Sequence, residues 1–120
     1  MSRFVSEKDI KTIRAEWWGA DEEVVIRVYS WGQKRTLEGS ALEAGVDLKD
    51  VENPTMKMKL DELANKQMEF GIVSWTFADD NGNLVPVNRK NIGMLYERDG
   101  EFILKAIDDY NSEDVEKKVK

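Results

Sequence analysis

The chain has 120 residues, 18 Lys plus Arg against 24 Asp plus Glu, a net charge of −6, and neither His nor Cys. Those absences remove thiol nucleophiles, imidazole bases and disulfide scaffolds, and leave carboxylates as the only strong metal ligands. A hydrophobic content of 41% supports one folded domain, while the acidic balance and the scattering of basic residues argue against nucleic-acid binding.

The N-terminal sequence MSRFVSEKD carries no apolar run of signal-sequence length. Apolar runs elsewhere are only a few residues long, against the ~20 needed to cross a bilayer. A cytosolic chain without membrane contact is the expectation, and the lack of Cys fits a reducing compartment.

Residues 9–18 (DIKTIRAEWW) place Ile13, Ala15 and Trp17 at alternate positions, and residues 23–29 (EVVIRVY) are β-branched and aromatic. Two such runs about four residues apart predict a β-hairpin. On its second strand Val24, Ile26 and Val28 share the face expected to enter the core. Val25, Arg27, Tyr29 and Trp31 share the other. Trp17 and Trp18 are expected at a strand end on opposite faces, so that at most one of them enters this core.

Ser30-Trp31-Gly32-Gln33 fits a capping box and predicts a helix over 31–44, with Leu37, Ala41 and Leu42 at helical spacing and Gly45 as its left-handed cap. Residues 45–55 read as a polar loop or short turn. Met56 to Leu60 alternates with lysines, which suits either an edge strand or the start of the next helix. Leu60, Leu63, Ala64, Met68, Ile72 and Trp75 follow at spacings of 3, 1, 4, 4 and 3, predicting one helical stripe that runs to about Phe77.

Asp79-Asp80-Asn81-Gly82-Asn83 reads as a tight turn in which Asn81 and Gly82 supply two positive-φ positions. It fails as a calcium loop, because counting from Asp79 the Gly falls fourth and the twelfth residue is Lys90. Residues 84–87 (LVPV) are short and extended. Asn88 is expected to cap a helix with Ile92, Leu95 and Tyr96 on one side. Asp99 then caps a last helix that buries Phe102, Ile103, Ala106, Ile107 and Tyr110. The expected architecture is α+β: an N-terminal β-hairpin or small antiparallel sheet packed on three to four helices. It forms a single domain over 1–111, followed by a charged, mobile or fraying tail over 112–120.

Catalytic constellations are weak. Asp108-Asp109 and Glu22-Glu23 are adjacent carboxylates whose side chains diverge. Ser30 and Lys34 stand at i, i+4, yet a capping serine beside a surface lysine is the commoner origin of such a pair. A small His-free hydrolase is the weakest functional reading, and no cofactor or metal is expected. Four Trp in one small domain are a stronger signal, since Trp is enriched where proteins bind each other. Trp18, Tyr29 and Trp31 are the candidate partner-binding surface, with a covering helical layer as the alternative. Met56, Met58, Met68 and Met94 add adaptable apolar surface or core filling.

The segment over 71–111, GIVSWTFADDNGNLVPVNRKNIGMLYERDGEFILKAIDDYN, resembles the tail assembly chaperones and related minor tail proteins of long-tailed bacteriophages. The resemblance lies in a helix ending in an apolar-Trp unit (Ile72 to Trp75), an acidic turn (Asp79 to Gly82) and an apolar-Pro-apolar segment (Val85-Pro86-Val87). A polar helix start (Asn88 to Asn91) and a final helix (Phe102 to Tyr110) complete it. It implies a non-enzymatic factor in the host bacterial cytoplasm that binds the tape-measure protein, helps recruit the tail-tube protein, and forms a homo-oligomer. The Lys-rich end, Glu116 to Lys120, is compatible with the programmed frameshift that the resemblance implies. A structural virion subunit, in tail completion or head–tail joining, is the alternative.

Overall fold

The computed structural model describes residues 3–6, 8–44 and 54–119, with side chains described over 3–6, 8–40 and 60–112. Among these residues three strands, β1 (Ile10–Ile13), β2 (Val24–Arg27) and β3 (Ile72–Trp75), form an antiparallel sheet in the order β1-β2-β3. Among the described residues four helices accompany it: α1 (Trp31–Ala44), α2 (Pro54–Gly71), α3 (Arg89–Gly93) and α4 (Glu97–Val119). The fold is α+β, as the sequence predicts.

The alternation on β2 works as expected. Val24, Ile26 and Val28 are buried, and Val25 and Arg27 are half-buried on the other face. α4 packs on β2, α2 packs on β2 and β3, and α1 and α3 rest on α2. The core between these layers contains Ile13, Val24, Ile26, Met68, Ile72, Trp75, Ile92, Ile103 and Ile107. On the far face of the sheet Ile10, Thr12, Val73 and Ser74 are exposed.

α1 begins where the capping box places it. The Ser30 amide donates to Gln33 Oε1 at 3.0 Å and the Gln33 amide to Ser30 Oγ at 3.2 Å, so each side chain satisfies the other's backbone donor. The proposed cap Gly45 and most of the 45–55 loop lie outside the described residues. Met56 to Leu60 belongs to α2, not to an edge strand, and Pro54 opens that helix where its missing N–H costs nothing.

The helix predicted to reach Phe77 stops at Gly71. There the Arg27 Nε donates to the Phe70 carbonyl at 2.7 Å, placing a cation on one of the orphan acceptors of the helix end. Ile72 to Trp75 is instead β3. Its pairing with β2 shifts between Val25 and Ile26: Val24 faces Trp75, Val25 faces Ser74, and Ile26 faces Ile72, which leaves Val73 as an extra residue. This bulge brings Ile72 and Trp75, three apart in sequence, onto the same buried face. The apolar-Trp unit of the phage-tail resemblance is therefore a strand following the helix, not the end of the helix itself.

Three further expectations are corrected. The β1–β2 connection takes residues 14–23, not about four, with Ala15 buried in it and the Arg14 Nη2–Glu23 Oε2 ion pair (2.6 Å) closing its base. In the acidic turn only Gly82 has a positive φ, 81°. Asp79 Oδ1 accepts from the Asn81 and Asn83 amides (2.9 and 3.0 Å), so a side-chain turn replaces the second positive-φ residue. Asn88 does cap a helix, through the Asn91 amide at 2.9 Å, but α3 ends at Gly93 and Tyr96 is 84% exposed instead of sharing a buried side with Ile92. Arg89 ties α3 to α2 by pairing with Glu62 and, at 3.3 Å, with Glu69; its hydrogen bond holds the Glu62 carboxyl below the usual range. α4 extends through Ser112 to Val119, so the charged C-terminal segment continues the helix.

Candidate functional site

The candidate surface residues separate. Trp31 is the first residue of α1 and 78% exposed, with the Arg35 guanidinium over its ring at 5.4 Å, one helical turn on. Trp18 and Tyr29 are half-buried and packed against the core. They also lie at different ends of α4: Trp18 meets Asp99 and Tyr29 meets Asn111, roughly 18 Å apart at 1.5 Å per helical residue.

Trp17 and Trp18 do not occupy opposite faces of a strand. They sit in a turn after β1, and both indoles donate to the same carboxylate oxygen, Asp99 Oδ1, at 2.6 and 2.8 Å. A half-buried indole N–H needs an acceptor, and the turn lets both reach one. Asp99 is thereby diverted from the helix-capping role expected of it. It lies in the first turn of α4, which starts at Glu97.

Around this junction the rings interlock edge to face. Trp18 meets Phe77 at 5.2 Å and Phe102 at 5.3 Å, and Trp17 meets Phe102 at 5.4 Å. Trp17 remains 40% exposed, and the Arg98 guanidinium lies over its ring at 3.7 Å. Trp17, Glu97, Arg98, Glu101, Phe102 and Lys105 line an open groove of about 550 Å³. Sequence reasoning missed Trp17, Arg98 and Asp99 as a group. The one available signal was the adjacent pair Trp17-Trp18, whose acceptor lies more than 80 positions away.

At the other end of α4 the Tyr29 amide donates to Asn111 Oδ1 at 2.9 Å, while the Tyr29 hydroxyl is buried without a hydrogen-bond partner. Burial first, and the Asp108 charge second, push its pKa well above the ordinary phenol value. Asp108 itself is raised, by partial shielding of its carboxyl and then by the charge of Asp109; Gln67 Nε2 donates to it at 3.2 Å. Folded Asp108 binds its proton more tightly than unfolded Asp108. Its contribution to stability is therefore full at acid pH and is lost as pH rises through the folded pKa. Asp108→Asn keeps an acceptor for Gln67 and is expected to raise the urea midpoint at pH 7. The gain should shrink towards pH 3, where the wild-type carboxyl is protonated; a gain independent of pH would contradict this account.

Among the described residues no group of three or more acidic side chains is placed to hold a metal ion, and no helix is long and apolar enough to cross a membrane. Comparison with protein-family models, with curated proteins and with solved structures gave no match.

Proposed function

We propose that the protein works by binding other polypeptides, as a tail assembly chaperone of long-tailed phages acting in the host bacterial cytoplasm. The observation that carries the protein-binding part is Trp31, a large aromatic held outward by a fully formed capping box. A Trp side chain contributes strongly to binding once a partner desolvates it. The net charge of −6 keeps such a surface soluble. The tail-specific part, with the tape-measure protein as client, the tail-tube protein as second partner and a homo-oligomer as the working form, rests on the resemblance over 71–111.

Co-expression with a tape-measure protein tests both parts. The client is expected to become soluble and to co-purify with the chaperone, which itself is not retained in finished particles. Trp31→Ala should abolish co-purification while moving the unfolding free energy by no more than about 0.5 kcal/mol, as for other exposed positions. A client equally insoluble with and without the protein would sink the tail reading. Retention in purified particles would replace it with a structural virion role.

A further inference from the structure

We propose that the groove beside Trp17 receives an arginine side chain of a partner polypeptide, and that Arg98 occupies that place in the free protein. Arg98 is exposed and, among the described residues, makes no ion pair, although Glu97 and Glu101 line the same groove. Its guanidinium instead lies over the Trp17 ring at 3.7 Å, the position that a stacked cationic ligand takes on an indole.

The remaining charges favour a cation in that place. Lys105 pairs with Asp109 at 3.1 Å, one helical turn on, so its charge is directed along α4. Glu97 and Glu101 have no ion-pair partner among the described residues, and neighbouring Asp99 already accepts two indole N–H groups, which fix the Trp17 ring in orientation. With Arg98 turned away, the groove offers a rigid aromatic face, a second ring in Phe102 and two unpaired carboxylates. A planar guanidinium can stack on the first and donate to the last. Arg98 is thus an internal competitor that lowers the affinity for an incoming arginine without filling the groove irreversibly.

The proposal needs neither Trp31 nor a phage client, so its failure leaves the preceding reading untouched. The test is titration of the intact protein with a capped Gly-Arg-Gly-Arg-Gly peptide, following the Trp17 indole N–H resonance, with the Glu counterpart peptide as control. Arg98→Ala and Arg98→Gln are both expected to bind the Arg peptide roughly fivefold or more tightly than wild type, the loss of a competing cation–π contact. The gain counts only where the Trp17 indole N–H resonance of the folded protein persists in the variant and is the one that shifts. Adding Glu97→Gln and Glu101→Gln to Arg98→Ala should reverse that gain and weaken its salt dependence. The proposal is overturned if Arg98→Ala binds no better than wild type, if no binding is seen at millimolar peptide, if the carboxylate substitutions change nothing, or if the Glu peptide binds equally well.

Discussion

Trp75→Ala is expected to lower the unfolding free energy by about 3–5 kcal/mol, read from urea denaturation at neutral pH. Trp75 is only 5% exposed and sits opposite Val24 on the buried face of the sheet. Its ring packs on Phe77 at 5.4 Å, and its Nε1 donates to the Val85 carbonyl at 2.6 Å. Removing the side chain therefore opens a cavity at the centre of the core and also deprives the 84–87 segment of a bond that fastens it to the sheet. Trp75→Phe separates the two contributions, since it retains much of the ring and loses the donor. It should cost clearly less than the alanine variant, and equal costs for the two would mean that packing contributes little here.

Gly71→Ala should destabilise by about 1–3 kcal/mol, against the trend of helix propensity, which favours Ala over Gly by about 1 kcal/mol. A β-carbon at Gly71 would lie 2.7 Å from both Cδ1 and Cγ2 of Ile107 and 3.0 Å from its Cγ1. Ile107 is itself fully buried, so it has little room to retreat. The need for glycine is steric and not conformational, because α2 must end in close contact with α4. The diagnostic measurement is a double-mutant cycle. Ile107→Ala alone should cost about 2–5 kcal/mol, but the pair Gly71→Ala with Ile107→Ala should cost at least ~1 kcal/mol less than the sum. Strict additivity would show that the two residues do not compete for the same space.

The parts of the fold that are local in sequence were legible there. The Ser30/Gln33 capping box, the buried face of β2 and the Asn88 cap each depend on residues within a few positions of one another. The misreading of β3 has an identifiable cause. A regular strand returns to one face every second residue, but the bulge at Val73 makes Ile72 and Trp75 share a face at a spacing of three, which is also a helical spacing. Periodicity cannot distinguish the two. The candidate site was legible only in part: Trp31 reads as outward by extending the alternation of β2, although it opens α1, whereas the sharing of Asp99 by Trp17 and Trp18 depends on the turn after β1 and on the docking of α4. No spacing within either segment encodes that meeting.

The long reach of these contacts also governs when the structure can form. Trp18 meets Asp99 across 81 positions, Tyr29 meets Asn111 across 82, and the Tyr110 hydroxyl reaches the Ile10 carbonyl across 100. On an emerging chain the first hairpin would have neither its third strand nor the α4 wall that closes the core, and an isolated two-stranded pair is marginal in water. Loop-closure entropy must then be overcome before the contacts that repay it exist, which favours a slow, late and all-or-none folding step. Fragments that stop before Ile103 and Ile107 lack two of the fully buried side chains. During synthesis, the N-terminal strands lack these core partners until the segment carrying Ile103 and Ile107 has emerged.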